Sequence, residues 1–254
     1  MIELKDLEKF TYDVYTKLLD TLSERYRLIQ FSQTKHTNPP YVVLRHDVDF
    51  SLDAALRMAK LEKSMNVLST YSVLLSHKLY NIFEQDSVKI LKQIRDLGHE
   101  IILHYDPELY EKYHIDYYTI LNKQLEILGL ILGTQIDTVA RHKNSLKVTY
   151  NPFPDHEFFT PGGQIVHNAD FSQLYDLTVK DPCRMWNKRF IERLFTFEDN
   201  RIQLLTHPCM WTYEEVNKQQ CLEMVFSNAS KSNEDYYRSC LDVWKECEEV
   251  WKNE

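Results

Sequence analysis

An α/β fold on a mostly parallel sheet is predicted by two observations. Short apolar, strand-like runs alternate with amphipathic helical segments through the middle of the chain. The chain also has 254 residues, 43% hydrophobic and 27% charged, which suits one globular domain with appended helices. A barrel and a doubly wound sheet both satisfy this pattern.

The elements follow in order. Leu7, Phe10, Val14, Leu18 and Leu22 fall at helical spacing, so a leading amphipathic helix is predicted over 4–26. Thr37-Asn38-Pro39-Pro40 breaks the chain before a buried strand at Tyr41–Leu44, which runs into Arg45-His46-Asp47-Val48-Asp49. Ser51 is an N-cap for a helix carrying Leu52, Ala55, Leu56 and Ala59. A second strand is expected at Val67–Leu75, a helix over 86–97 ended by Gly98, and a strand at Glu100–His104. A long helix over 107–131 closes near Gly129 or Gly133, and Asp137–Arg141 is a short strand. Prolines and glycines make 150–170 a loop region, with later strands at Phe171–Leu177 and Ile202–Thr206. From 212 on, helices are expected. Ser232 caps one of them, and its apolar stripe runs through Tyr236, Cys240, Val243, Trp244, Cys247 and Trp251.

Composition removes several function classes. Only five glycines are present, and no spacing of them spells a dinucleotide fingerprint or a phosphate loop. A net charge of −8 argues against a nucleic-acid or anionic-membrane surface. No run approaches the roughly 18 apolar residues of a membrane span. The start, Met-Ile-Glu-Leu-Lys-Asp, lacks the basic-then-apolar pattern of an export signal. The five cysteines are odd in number and form no CxxC pair, so a reduced, cytoplasmic setting is expected.

In parallel α/β folds chemistry gathers at the C-terminal ends of strands. Asp47 and Asp49 alternate onto one face, with Arg45 behind them. Two carboxylates this close call for a cation or a proton between them, which suits one metal ligand and one general base; a solvated turn or a helix N-cap is the plainer reading. His104 ends an apolar strand, with Asp106 and Glu108 just beyond, a donor set ordinary for zinc or a related divalent ion. His142 and His207 each stand just past an apolar strand in the same way. His99 sits at the opposite end of its strand and reads as structural. His36, His77, His114, His156 and His167 read as surface or structural. Asp181 and Trp186, with Trp211 following His207, would suit a sugar, whose C–H faces stack on indole; core packing is the plainer role for tryptophan.

Arg45-His46-Asp47-Val48-Asp49, then Gly98-His99-Glu100-Ile101 leading to His104, then His207 after a late apolar strand, resemble the polysaccharide deacetylases (carbohydrate esterase family four) over about residues 41–211. The resemblance implies an irregular (β/α) barrel, here with added N- and C-terminal helices. It divides the single domain into an extension over 1–40, a barrel over 41–211 and C-terminal helices over 212–254. It implies a divalent metal, zinc foremost, and removal of acetyl groups from sugars, here an N-acetylated sugar of polysaccharide or glycoconjugate biosynthesis. By the same resemblance Asp47 is the catalytic base, Asp49 and His104 are metal ligands, Arg141 orients the base and His207 is the general acid. Asp181 and Trp186 fall near a fourth motif and, with Trp211 and His142, are expected to bind substrate. The family's second metal-binding histidine lies four residues after its first, where this chain has Glu108. Glu108, Asp106 or His142 would complete the set. Two other readings stay open: a lapsed member that binds a glycan or partner without turnover, and a metal hydrolase of another amide or ester. The C-terminal tryptophan stripe could pack on its own barrel or on a second subunit.

Overall fold

The structure is a computed structural model that describes residues 2–112, 114, 116–142, 153, 155–160, 163–181, 184–228, 230, 231 and 234. The chain forms two compact units, 1–215 and 216–254. Ser232 and the stripe from Tyr236 to Trp251 lie outside the described residues. In the second unit a helix runs over 218–228, and the Asn217 side chain caps it by accepting from the Gln220 N–H at 2.9 Å.

Nine strands build the first unit: β1 (Arg27–Ile29), β2 (Tyr41–Val48), β3 (Thr70–Leu74), β4 (Glu100–Tyr105), β5 (Thr138–Arg141), β6 (Glu157–Phe159), β7 (Ile165–Asn168), β8 (Leu177–Lys180) and β9 (Arg201–Thr206). They form one sheet in the order β6-β7-β5-β4-β3-β2-β9-β8. Every pairing is parallel except β6 with β7. β9 runs along Tyr41–His46 of β2, while β1 pairs with Tyr41–Val43 and β3 with Arg45–Val48. β1 and β3 therefore share the other edge of β2.

The sheet is strongly curled. Gln203 on β9 donates from Nε2 to the carbonyl of Ala169, just past β7, at 3.0 Å. In the strand order β9 and β7 are five steps apart, which a flat sheet would spread over about 24 Å. Only a half-closed barrel brings them together, as the (β/α) barrel reading expects. Inside it pack Ile29, Phe31, Val43, Ile102, Ala140, Ala169 and Tyr175. Outside, α2 (Leu52–Ser64), α3 (Gln85–Asp96) and α5 (Tyr117–Leu132) cover Tyr71, Val73, Leu103 and Val139. β2, β3, β4 and β9 are thus buried on both faces, and the period of two fixes which residues point inward.

Several boundaries differ from expectation. The leading helix is two elements: a 3-10 turn at Leu4–Lys9, then α1 (Tyr12–Ser23) capped by Thr11, with Phe10 between them at φ 50°. The long helix over 107–131 is also two, α4 (Pro107–Lys112) and α5, because Asp116 accepts from the Thr119 N–H at 2.8 Å and starts a new helix. Gly133 ends α5 at φ +69°, whereas Gly129 lies inside it. β2 extends through Arg45, His46 and Asp47, since these polar residues find partners on both faces of the sheet. The expected loop over 150–170 contains β6 and β7. The strand expected at Phe171–Leu177 is a 3-10 turn at Ser172–Leu174, followed by β8. Among the described residues no helix is long and apolar enough to cross a membrane.

Candidate metal centre

The register carries one row of side chains to the C-terminal mouth of the half-barrel. Arg45 and Asp47 on β2 point inward, and so do His104 on β4, paired with Ala140, and Leu205 on β9, paired with Arg45. Asp49, His142 and His207 continue these rows, each one residue past the end of its strand.

Asp49, His104 and His142 meet there. His104 Nε2 stands 3.5 Å from Asp49 Oδ1, His142 Nδ1 stands 3.4 Å from the same oxygen, and the two nitrogens are 3.1 Å apart. Ligand atoms held at zinc–nitrogen and zinc–oxygen distances in a tetrahedral shell lie about 3.3–3.4 Å from one another. Asp49 Oδ1 is buried and makes no hydrogen bond. His104 Nδ1 donates to the Ala140 carbonyl at 3.0 Å, which leaves the Nε2 lone pair facing the group. The three donors therefore fit a divalent ion. Burial would raise the Asp49 pKa, but the His104, His142 and His207 imidazoles around it hold it well below the usual carboxylate value.

Two further assemblies flank this group. Arg45, 1% exposed, donates from Nε and Nη2 to the two oxygens of Asp47 at 2.8 and 2.9 Å, and from Nη1 to Asp170 Oδ1 at 2.6 Å. Burial works against its charge, and the two carboxylates outweigh burial. Asp170 is held at a pKa of about 2, because Arg45 and Lys180 overcome its own desolvation. On the other side, His207 Nδ1 donates to Asp181 Oδ1 at 2.7 Å, and its Nε2 lies 3.5 Å from Asp49 Oδ2. Burial alone would lower the His207 pKa; Asp181, with Asp49 and Asp47 beyond, lifts it to about 9. The imidazolium is thus the resting form near neutral pH, with its Nε2–H facing the site.

The remaining expected site residues are placed differently. Glu108 is exposed on α4, and Asp106 accepts its backbone N–H at 3.0 Å, so neither joins the donor group and His142 stands in the third position. Asp47 is held by Arg45, while Arg141 donates its backbone N–H to Asp170 at 2.5 Å. Asp181 is fully buried and spends both oxygens on His207, so it orients that ring rather than touching a substrate. Trp211 is 2% exposed and packs on Phe10 and Tyr15. Trp186 stacks on Phe10 and donates to the Leu7 carbonyl. Both tryptophans seat the N-terminal segment on the barrel, which corrects the sugar-platform expectation.

Asp170 and Lys180 were not singled out from sequence. Asp170 follows β7, a strand hidden among prolines and glycines. Had β7 been recognised, the strand-end rule would have found it. Lys180 ends β8 beside Asp170, Arg45 and Asp47, and burial lowers its pKa. His99 is structural, as expected: it bonds the Ala59 carbonyl and the Ser69 N–H.

A second His/Glu group, His156, Glu157 and His167, lies away from this mouth. Lys35 Nζ stands 2.7 Å from His167 Nε2, and Glu157 Oε1 is 3.0 Å from Nδ1. A lysine donating to Nε2 places the ring proton on Nδ1, beside the carboxylate, so the group is a cation–imidazole–anion chain. It borders an open pocket of about 560 Å³ lined by Lys35, Gln135, Asp137 and Gln164.

No protein-family model matches the sequence, and neither does any curated protein sequence. Among solved structures the chain is similar to a CE4 family pseudoenzyme from Bacillus anthracis, at 14% identity and TM-score 0.45, covering 78% of this chain and 63% of that one. A mutant of that pseudoenzyme with restored enzymatic activity gives 13% identity and TM-score 0.44, covering 78% and 65%. A family 4 carbohydrate esterase from Bacillus anthracis gives 14% identity and TM-score 0.37, covering 85% and 86%. The chain spans less than two thirds of the length of the pseudoenzyme chains. At these values the likeness transfers no activity to this chain.

Proposed function

We propose that this protein is a metal-dependent deacetylase that removes the acetyl group from an N-acetylated sugar during polysaccharide or glycoconjugate assembly. One observation carries the reading. The Asp49, His104 and His142 donors stand between an arginine-held carboxylate, Asp47, and a carboxylate-backed imidazolium, His207. Asp49, His104 and His142 would hold a divalent ion, zinc by the donor chemistry. When bound, such an ion supplies Lewis-acid chemistry, acidifying water and polarising a carbonyl.

The chain's own residues would do the rest. Asp47, fixed by Arg45 through both oxygens, accepts a proton from the attacking water. Arg45 is itself fixed by Asp170, so the base cannot swing away. His207 is charged and gives its Nε2 proton to the departing amine. Asp181 takes the Nδ1 proton in a hydrogen bond and keeps the ring turned toward the site. The reduced, cytoplasmic setting expected from the cysteines belongs to the same proposal.

The test is metal content and acetate release, measured on protein purified without chelator or metal-binding tag. Wild type is expected to carry a divalent ion and release acetate from N-acetylated sugars, and Asp49→Ala to do neither. Equal, negligible metal and no acetate in both proteins would remove the reading. Sugar binding by wild type and Asp47→Ala alike, without turnover, would support the lapsed, binding-only form.

A further inference from the structure

Asp49 is the residue most in need of placement. It is the first residue past β2, beyond the last β2–β3 pair, Val48 with Val73. Its Oδ1, central to the donor group, makes no hydrogen bond. A carboxylate outside the ladder whose ligating oxygen makes no hydrogen bond has to be placed through its backbone, because metal sites tolerate only about 0.5 Å of misplacement.

The loop after β3 supplies the fixing. His77 and Tyr80 stack with ring centroids 4.5 Å apart and planes 22° from parallel. The Tyr80 hydroxyl donates to the Val48 carbonyl at 2.8 Å and accepts the Leu74 N–H at 3.2 Å. His77 Nδ1 accepts the Leu79 N–H at 3.1 Å. An imidazole whose Nδ1 accepts carries its proton on Nε2, and the backbone of Asp49 is the acceptor group the ring interacts with. Phe50 closes the edge of the ring, 6.4 Å away and nearly perpendicular.

We infer that His77 and Tyr80 are positioning residues for Asp49: a stacked pair that clamps the consecutive carbonyls of Val48 and Asp49 and thereby sets where the Asp49 carboxylate stands. The inference rests on the metal reading above. His77 Nδ1 is taken by the Leu79 N–H and Nε2 carries the proton, so the ring is a brace and not a fourth ligand. Sequence alone read it as surface or structural.

The full chain, metal-free, is titrated with zinc against a competing chelator, and with cobalt(II) followed by its visible absorption. His77→Phe keeps the stacked ring and removes the donor. His77→Gln keeps an N–H at similar reach. Tyr80→Phe removes the bond to Val48 and keeps the stack. We expect His77→Phe and Tyr80→Phe to weaken binding about tenfold or more and to alter the cobalt spectrum, the size seen when supporting hydrogen bonds of metal sites are cut. Their metal-free melting temperatures should stay near that of wild type, and His77→Gln should recover most of the affinity. His77→Phe binding metal like wild type, or His77→Gln binding as weakly as His77→Phe, would overturn the brace alone. A wild type that takes up neither metal would overturn the metal reading and the brace with it.

Discussion

Asp181 acts on the site through His207. It is fully buried, and burial raises its pKa, a cost that the ion pair with the imidazolium partly offsets. Asp181→Asn keeps the shape and removes the charge that favours His207 in its acid form. Turnover is expected to fall about 100-fold or more, the usual worth of a placed general acid, with metal content unchanged. Steady-state kinetics beside metal analysis checks this, and unchanged turnover would remove His207 from the acid role. At this scale much of the site was legible. Asp47, Asp49, His104, His142 and His207 all follow strand-like runs, and the rule that parallel sheets present chemistry at strand ends picked them out. Asp170 escaped because its strand was not seen. Trp211 and Trp186 misled because an indole looks the same in sequence whether it faces a sugar or a helix.

At the scale of elements, Glu62 ties together pieces that sequence shows only as separate segments. From α2 it accepts hydrogen bonds from Tyr15 of α1 at 2.6 Å, His46 of β2 at 2.7 Å, Ser69 at 2.5 Å and Tyr71 of β3 at 2.8 Å. The other nitrogen of His46 meets Thr206, the residue before His207, at 2.8 Å. Burial favours neutral Glu62, yet His46, His99 and Ser69 hold its pKa at about 2, below the ordinary 4.5. A lowered carboxylate pKa stabilises the fold above pH 4.5, and that stability is lost as pH falls from 4.5 toward 2. The full amount is about 3 kcal/mol. His99 acts in the same sense from pH 6.5 downward, since burial pushes its pKa below that value and the unfolded chain binds the proton first. Urea denaturation between pH 7 and 3 should therefore show stability falling with acid. Glu62→Gln should be less stable at pH 7 and should lose the slope below pH 4.5; equal slopes would rule the network out as the cause. Local signals explain which elements were missed. β6, β7 and β8 have three or four residues each, too few to show a period, and Asp116 restarts a helix inside an unbroken apolar pattern.

For the whole molecule, the donors come from β2, β4 and β5, and an ion held by them would clamp three segments of the half-barrel at once. A ligand that binds only the folded state stabilises it by about 2.7 kcal/mol at 100 times its Kd. For a chain of this size that is a rise of about 5–10 °C in melting temperature. Zinc should produce this rise in wild type, chelator should reverse it, and Asp49→Ala should show none. Calorimetry with and without metal checks it, and a wild type indifferent to zinc would speak against the clamp. The alternation of strands and helices made the α/β class readable at this scale. The degree of curl was not readable, because it is set by contacts such as Gln203 with Ala169 between residues far apart in the chain.

The interior beneath Arg45 and Asp47 is filled by Ile29, Phe31, Val43, Ile102, Ala140 and Tyr175. These hydrocarbon groups form a floor, and β1 seals the edge of β2 below the start of β3. Under the proposed function, water and the acetylated sugar would therefore meet the donor group from the strand-end side of this floor, and both products would be expected to leave on that same side.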